Sequence, residues 1–332
     1  MRRRGFLAAP AALGLAPAAL GFATMVPGAA RAEAPYPDRP IRLLVTIPPG
    51  GAPDVAARIV AQRLGERLGQ PVVIENRAGS NGQIATEAAV RSRPDGYTLL
   101  FAQDTVITVN PALYERAPFN VATDLVPVAS VASNAFVLSV NPSLAARTLE
   151  EFIALARRSD PPLAYASGGS GSQHQLAMEM LAQRAGLRML HVPFRGGTPA
   201  VTATVAGDTA AVFSGTSSAP LIQQGRLRAI AVTGPRRSPA FPDLPAIGEM
   251  FPGYEVVIWL GVFAPAGTPA PVVATLRDAI NASLAEPAVR ARLELAGGLE
   301  PMVTTPEGFA ALIRHDTAKY GALVRAIGIR PE

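Results

Sequence analysis

The stretch Ile41-Arg-Leu-Leu-Val-Thr-Ile-Pro-Pro-Gly-Gly-Ala-Pro-Asp-Val-Ala-Ala-Arg58 decides the fold, because it combines a strand, a turn and a helix start. It predicts a buried strand, a Pro/Gly turn and a helix that begins at Pro53. Proline suits the first helical turn, and Asp54 complements the positive end of the helix. Gly50 and Gly51 carry no side chain, so a ligand can approach their backbone N–H groups. The stretch therefore indicates an anion-binding turn.

The composition bounds the class of protein. The chain has 332 residues, enough for two domains of ordinary size. It contains no cysteine, which excludes disulfides, thiol catalysis and thiolate metal sites. The formal net charge is +5, but residues 1–32 hold four arginines and no acid, so 26 basic and 25 acidic side chains remain in the rest. A nearly neutral chain without a basic run predicts no binding of nucleic acid.

Residues 1–32 have the pattern of an export signal peptide. Three arginines precede an apolar run from Phe6 to Val26, and Ala30-Arg31-Ala32 gives a small-x-small cleavage pattern. Arg3 and Arg4 also fit the twin-arginine signal, so Sec and twin-arginine export both stay open. A membrane anchor is the alternative, but prolines and glycines interrupt the run. We expect a periplasmic mature protein that begins near Glu33.

Strands and helices alternate along the mature chain, as in parallel βαβ units. The first half is predicted to hold strands at 41–47, 72–75 and 97–101 and helices at 53–68 and 83–91. The second is predicted to hold strands at 163–166, 189–192, 209–213 and 227–232 and helices at 149–157 and 173–185, with another ending at 207. Extended segments are predicted at 124–140 and 254–264, and terminal helices at 269–284, 287–295 and 306–327.

This order predicts an α/β fold of two domains joined by two extended crossing segments. Residues 33–132 plus 255–332 would form a discontinuous first domain, and residues 133–254 the second. A cleft between two such domains is a common site for a small ligand, closed by hinge motion.

The histidines and serines show no arrangement typical of catalysis or metal binding. The chain has neither an HExxH pair nor a GxSxG elbow nor a Walker lysine. Ser172 and His174 are near neighbours at one helix start, so we expect a helix cap and a surface polar residue rather than a nucleophile and its base. His191 is expected to be a satisfied structural residue, and His315 to lie on a solvated helix face. We predict no catalytic residue, no metal and no cofactor.

Strand–glycine turn–helix junctions occur in both halves of the chain, at 49–54 in the first and at 168–173 and 195–198 in the second. Each would place free N–H groups and a positive helix end at the carboxyl edge of its sheet, where open α/β sheets bind ligands. One glycine turn is also an ordinary way to begin a helix. Two such turns that face each other would hold a carboxylate through neutral donors.

Short motifs run in order along the mature chain: Tyr36-Pro-x-x-Pro-Ile-Arg42, Pro48-Pro-Gly-Gly-x-x-Asp54, Gly69-Gln-Pro-Val-Val-Ile-Glu-Asn76, Pro94-Asp-Gly-Tyr-Thr-Leu-Leu100, Asn110-Pro-x-Leu-Tyr114, Gly169-x-Gly-Ser172, His191-Val-Pro-Phe-Arg-Gly196, Gly225-Arg-Leu-Arg-Ala229, Trp259-x-Gly261 and Pro265-Ala-Gly-Thr-Pro269. With them, residues 36–331 resemble the solute-binding proteins of tripartite tricarboxylate transporters, the TctC or Bug family. The resemblance implies a periplasmic Venus-flytrap fold in which each domain is a βαβ sandwich. It also implies a monomer without catalysis that captures a small organic carboxylate. The carboxylate would pass to the membrane permease subunits of a tripartite tricarboxylate transporter; the alternatives are a sensing subunit for a signalling receptor and a hydrolytic enzyme.

The resemblance further implies that two facing turns grip one carboxylate through backbone N–H and hydroxyl groups, with ordered waters. By position, the residues are Gly50, Gly51, Ala52 and Asp54 on one side and Gly169, Ser170, Gly171 and Ser172 on the other, with Arg195, Ser214 and Trp259 nearby. Asp54 would repel a carboxylate, so we expect it to fix the turn or a water, or to serve only as helix-end charge. Arg195 fits a solvated face equally well.

Asp104 departs from the family pattern in the loop after the third strand, where members usually have a small or amide residue. If Asp104 faces the cleft, its charge would disfavour a second carboxylate on the ligand and favour an amine or a hydroxyl. The alternative is that Asp104 caps the next helix. Two further departures are His174, one place early in the Gly-Ser-x-x-His pattern, and Ser214-Gly-Thr-Ser217 in place of a frequent Asp-Asn pair.

Overall fold

The computed structural model describes residues 36–114, 116–238 and 241–329. The predicted signal peptide lies outside these residues. Within them the chain forms two β-sheets, each covered by helices, and the α/β prediction is confirmed.

Eleven strands are described within these ranges. They are β1 (Ile41–Val45), β2 (Val72–Asn76), β3 (Thr98–Gln103), β4 (Leu125–Ala135), β5 (Val137–Val140), β6 (Ala164–Ser167), β7 (Leu190–Pro193), β8 (Ala211–Ser214), β9 (Arg228–Val232), β10 (Val257–Pro265) and β11 (Glu300–Pro301). Sheet order is β11-β4-β10-β3-β1-β2 in the first lobe and β7-β6-β8-β5-β9 in the second. We use "first lobe" and "second lobe" for these sheets and the helices between their strands.

The helices connect the parallel strands and extend the chain at its C-terminal end. They are α1 (Ala52–Leu68), α2 (Gln83–Val90), α3 (Asp104–Thr108), α4 (Asn110–Leu113), α5 (Val121–Asp124), α6 (Leu149–Arg158), α7 (Gln173–Ala185), α8 (Gly197–Ala206), α9 (Ala219–Gln223), α10 (Ile247–Met250), α11 (Ala270–Leu284), α12 (Pro287–Leu295) and α13 (Pro306–Ile327). Single 3₁₀ turns lie at Ser80–Gly82 and Thr216–Ser218.

The strands of each βαβ unit are parallel, as the alternation predicted. Strand β1 pairs in parallel with β2 and β3, and β6 pairs in parallel with β7 and β8. The long strands β4 and β10 pair antiparallel with each other, and β10 also pairs antiparallel with β3. Most of each predicted crossing segment therefore lies in the first sheet, and the first segment ends as β5 of the second sheet.

The chain passes between the lobes at Phe136 and returns at Val256. Phe136 is the one residue between β4 of the first sheet and β5 of the second. The hydroxyl of Thr233, next to β9, accepts a hydrogen bond from Phe136 N at 2.8 Å and donates one to Val256 O at 2.6 Å. Thr233 N also donates to Phe136 O, and Val256 N donates to Thr233 O. One buried threonine thus joins both crossing segments.

Helix α13 packs against both lobes. Near its start, Phe309 contacts the rings of Trp259 and Phe263 in the first lobe. Near its end, Tyr320, Leu323 and Val324 belong to the hydrophobic core of the second lobe. The helix therefore forms a third link between the lobes.

Candidate functional site

Asp54 organises the turn before α1. Its Oδ2 accepts hydrogen bonds from Gly50 N at 3.0 Å and Arg58 Nε at 2.9 Å, and its Oδ1 accepts from Asn76 Nδ2 at 2.8 Å. Asn76 Nδ2 also donates to Ile47 O. One carboxylate thus joins Gly50 in the turn, Arg58 in α1 and Asn76 at the end of β2.

The charge of Asp54 is stabilised by these donors. Burial alone would raise the pKa of Asp54, but hydrogen bonds from Arg58, Gly50 and Asn76 outweigh it, and the pKa lies below its usual value. Because two donors from Arg58 neutralise the carboxylate, its repulsion of a bound anion is reduced.

The N–H groups that the first turn leaves for a ligand are those of Gly51, Ala52 and Asp54. The first N–H groups of a helix have no partner within the helix, whereas Val55 N already bonds to Gly51 O. Pro53 contributes no N–H, and Gly50 N is committed to Asp54. Gly50 and Gly51 are exposed and Ala52 is half-buried, so a ligand can reach the backbone here.

The second turn, which precedes α7, uses most of its backbone donors internally. Gly169 N donates to Ser167 Oγ at 3.1 Å, Gly171 N to Gln175 Oε1 at 2.8 Å, and Ser172 N to Gly169 O at 3.1 Å. These three N–H groups therefore have partners before any ligand arrives. Gln175 N donates to Ser172 Oγ, so the donors that remain at the start of α7 are the N–H groups of Gln173 and His174 and the hydroxyl of the N-cap, Ser172.

A network of hydrogen-bonded polar side chains holds the second turn and the start of α7. Ser167 Oγ lies 2.5 Å from His191 Nε2, and Gln175 Nε2 lies 3.3 Å from His191 Nδ1. The ring of Tyr165 stacks on His191 at 5.1 Å, and its hydroxyl donates to Glu179 at 2.5 Å. Ser167 and Tyr165 are fully buried. The predicted structural role of His191 agrees with these contacts.

His174 was predicted as a surface polar residue, but the structure makes it half-buried. Its ring packs on Phe136 with centroids 4.7 Å apart, and Nδ1 is buried without a hydrogen-bond partner. A Cβ on Gly197 would lie 2.9 Å from Nε2, which shows how closely the turn before α8 covers the ring. Burial lowers the pKa of His174 to about 4. His315, in contrast, is exposed on α13, as expected.

Asp104 is fully buried at the start of α3. Its Oδ2 accepts a hydrogen bond from Gln173 Nε2, at the start of α7 in the second lobe. Burial, and next the charge of Asp316, raise the pKa of Asp104 well above its usual value. This arrangement gives no support to direct repulsion of a second ligand carboxylate. Asp104 is the first residue of α3 and not its N-cap, which is Gln103, but the backbone N–H of Thr105 in the first turn donates to its carboxyl.

The remaining predicted residues differ in accessibility. Trp259 is 1% exposed, and its Nε1 donates to Asp316 Oδ2 at 2.8 Å, which gives it a role in the core. Ser214 is buried at the end of β8, and its Oγ has no hydrogen-bond partner. Arg195 is exposed in the turn before α8, which fits the solvated face that the sequence left open.

Gly297, which sequence reasoning missed, lies between the first turn and the turn after β8. A Cβ on Gly297 would stand 2.8 Å from Ala52 Cβ and 3.8 Å from Ser217 Cβ. The carbonyl of Gly297 accepts a hydrogen bond from Asn134 Nδ2 at 3.0 Å. The Gly297-Gly298 pair after α12 was the available signal in the sequence.

Two cavities lie away from the first turn. One of about 490 Å³ borders α4 in the first lobe and is lined by Gln83, Asn110, Pro111, Tyr114, Ala117, Pro118, Phe119, Asn120 and Val121. Another of about 220 Å³ is lined by Ser170, Gln175, Glu179, Ile327, Gly328 and Ile329. Ser170 is the one predicted site residue among these lining residues.

The described residues lack the features that two other classes of site would need. No group of three or more His, Asp or Glu side chains is placed there to hold a metal ion. In the same part of the chain, no helix combines the length and the apolar character that a membrane span requires.

Comparison with known proteins gives consistent matches. The sequence model described as "Tripartite tricarboxylate transporter family receptor" matches residues 56–329. The solved structure of Rpa4515 from R. palustris with adipate superposes with a TM-score of 0.79 at 31% identity, covering 90% of this chain and 100% of the other. MatC from Rhodopseudomonas palustris with bound malate gives 0.74 at 28% identity, covering 87% and 100%. The periplasmic binding protein BugD gives 0.76 at 29% identity, covering 90% and 100%, and the predicted binding-protein fold is confirmed.

Proposed function

The chain belongs to the tripartite tricarboxylate transporter receptor family, and we propose that it captures a small organic carboxylate outside the cytoplasm. Members of this family are periplasmic solute-binding proteins, and the chain is a binding protein rather than an enzyme. In our proposal, residues 1–32 direct export, and the loaded protein delivers its ligand to the permease subunits of a tripartite transporter. The ligand would lie between domains of residues 33–132 plus 255–332 and 133–254.

The organisation of the first turn carries this proposal. Asp54 holds the turn through Gly50, Arg58 and Asn76, and the N–H groups of Gly51 and Ala52 stand at an accessible helix start. Such an end stabilises negative charge through free N–H groups and the helix dipole. We assign the primary contact with the carboxylate to these N–H groups.

The ligand class follows from charge and from the structural neighbours. Adipate in Rpa4515 and malate in MatC are aliphatic dicarboxylates, and both neighbours share this fold over 87% or more of the chain. The second turn has fewer free backbone N–H groups than the first, because Gly169, Gly171 and Ser172 donate within it. We therefore assign the first turn to the primary carboxylate and the start of α7 to the rest of the ligand.

A thermal-shift screen of aliphatic mono- and dicarboxylates, followed by calorimetry, tests the proposal. A ligand at about 100 times its Kd adds about 2.7 kcal/mol to the unfolding free energy and raises Tm. Gly51→Asp should weaken the best ligand at least about tenfold, about 1.4 kcal/mol, because a new carboxylate would occupy the approach to the free N–H groups. Gly51 has negative φ, and a Cβ there meets only Pro53 at 3.7 Å, so the variant should fold.

The matched control is Gln224→Asp, which adds the same charge at an exposed position of the second lobe. It should leave the Kd unchanged. Equal affinity in the Gly51→Asp protein would remove the first turn from the site, and no shift with any organic acid would remove the proposed ligand class.

A further inference from the structure

A buried polar cluster joins the lobes beside the second turn. It consists of Asp104 on α3, Gln173 on α7 and Asp316, Lys319 and Tyr320 on α13. Asp104 and Asp316 are 0% and 2% exposed. Gln173 directly follows Ser172, so the hydrogen bond from Gln173 to Asp104 fixes the end of the second turn to the first lobe.

The charges in this cluster are distributed unequally. Lys319, the only lysine of the chain, lies 2.8 Å from Asp316 Oδ1, and Trp259 Nε1 donates to Asp316 Oδ2 at 2.8 Å. Asp316 therefore has a cation and a neutral donor, whereas the donors to Asp104, Gln173 Nε2 and the backbone N–H of Thr105, are both uncharged. An ionised carboxylate at full burial is costly without a cation beside it.

The buried polar atoms that lack hydrogen-bond partners also favour a neutral Asp104. Three atoms of the cluster are buried without a partner: Asp104 Oδ1, Gln173 Oε1 and Tyr320 Oη. The first two can only accept when Asp104 is ionised, so the hydroxyl of Tyr320 can satisfy at most one of them. A proton on Oδ1 turns one of these acceptors into a donor. A neutral carboxyl and a primary amide can then give and receive one hydrogen bond each, which an ionised Asp104 cannot do.

We propose that neutral Asp104 is a positioning residue that couples the start of α7 to the first lobe, and that its ionisation loosens this contact between the lobes. Part of this inference, the effect on ligand affinity, rests on the proposed function; the coupling of the lobes does not. Asp104 need not touch the ligand, because it acts through Gln173 on the turn that precedes α7.

The pH dependence follows from the groups around Asp104. Asp316 disfavours ionisation of Asp104, and Lys319, already paired with Asp316, favours it. Tyr320 on the same helix is buried and uncharged, because burial raises its pKa well above the usual value. Gln173 of α7 and Trp259 of β10 are neutral at every pH. Rising pH should therefore release the contact as Asp104 ionises.

The absence of cysteine permits a direct measurement of lobe separation. Spin labels on Val73→Cys in β2 and Leu190→Cys in β7 would report the distance between the lobes, because these side chains are 52% and 57% exposed. The full mature protein is measured without ligand from about pH 5 to about pH 9, a range in which an ordinary aspartate is already ionised. We expect a narrow distance distribution at low pH that broadens as pH rises.

Two variants separate protonation from packing. Asp104→Asn keeps a neutral donor–acceptor pair, so its distribution should stay narrow throughout. Gln173→Leu removes the amide, so its distribution should be broad even at low pH. Asp278→Asn, at an acid that is 72% exposed, should behave like the parent. A parent distribution that does not change with pH, or an Asp104→Asn distribution that broadens as the parent does, would overturn the proposal.

Titration with adipate tests whether the ionisation of Asp104 also changes ligand affinity. If adipate binds, its Kd should rise at least about fivefold between the two pH limits in the parent and less than twofold in Asp104→Asn. If adipate does not bind, the distance measurement still decides the coupling, so failure of this inference and failure of the proposed function are distinguishable.

Discussion

His174 is half-buried, its imidazole packs against Phe136 and the turn before α8, and burial lowers its pKa to about 4. An unfolded histidine titrates near pH 6.5. Between these values the unfolded chain binds a proton that the folded protein rejects. The contribution of His174 to stability is therefore fully present above about pH 6.5 and is lost as pH falls toward about 4.

Replacing His174 by Phe should remove this acid sensitivity. Phenylalanine has a similar ring and cannot bind a proton, so the unfolding free energy of His174→Phe should fall less than that of the parent between pH 7 and pH 4.5, by about 2 kcal/mol. Urea unfolding at both pH values measures the difference. His315→Phe, at an exposed position, should retain the parent's slope; an equal slope in His174→Phe would contradict the assigned burial.

Sequence reasoning at the residue scale succeeded where a local pattern decides the environment. Ser172 caps α7 as expected, and Asp54 holds its own turn. It did not predict the burial of Asp104 and Trp259 or the packing of His174 on Phe136, because the covering residues are distant in sequence.

At the scale of elements, the period of apolar residues placed the main helices within about two residues. Helix α7 and the last two helices were predicted with their observed bounds. The short helix α3 was missed: its sequence, DTVIT, is rich in β-branched residues of low helix propensity. It packs against α13, so tertiary contact rather than local preference accounts for it.

Thr233 links the two crossing segments through its hydroxyl, and Thr233→Val tests that link. Valine matches the shape but leaves Phe136 N and Val256 O without their buried partner, so the unfolding free energy should fall by about 1–3 kcal/mol. Chemical denaturation measures the change. Thr275→Val, which removes a hydroxyl from an exposed helix position, should cost less than about 0.5 kcal/mol; equal costs would mean that Thr233 is not a joint between the segments.

At the scale of the whole molecule, the chain crosses between the lobes at Phe136, after β4, and at Val256, before β10, and helix α13 packs against both lobes. The order of strands and the two long apolar segments predicted the two-sheet α/β architecture. What the pattern could not predict is the packing of α13 into the second core, because an amphipathic helix does not specify which surface it covers.

In the candidate site, too, contacts between distant segments could not be predicted from the sequence. Gly50 to Asp54 could be recognised from one stretch of sequence, because strand, turn and helix start are contiguous. Gly297, which lies against Ala52, and Gln173, which meets Asp104, come from distant segments that only the fold brings near. The residues that determine ligand selectivity are therefore harder to predict from sequence than those that bind the primary carboxylate.

A crystal structure of the mature protein with adipate, or with the best ligand from the screen, tests the central claim most directly. We predict one ligand carboxylate within hydrogen-bond distance, about 2.7–3.2 Å, of the backbone nitrogens of Gly51 and Ala52, with the rest of the ligand directed toward the start of α7. A carboxylate bound instead in the cavity lined by Gln83, Asn110 and Tyr114, with the first turn empty, would contradict the account.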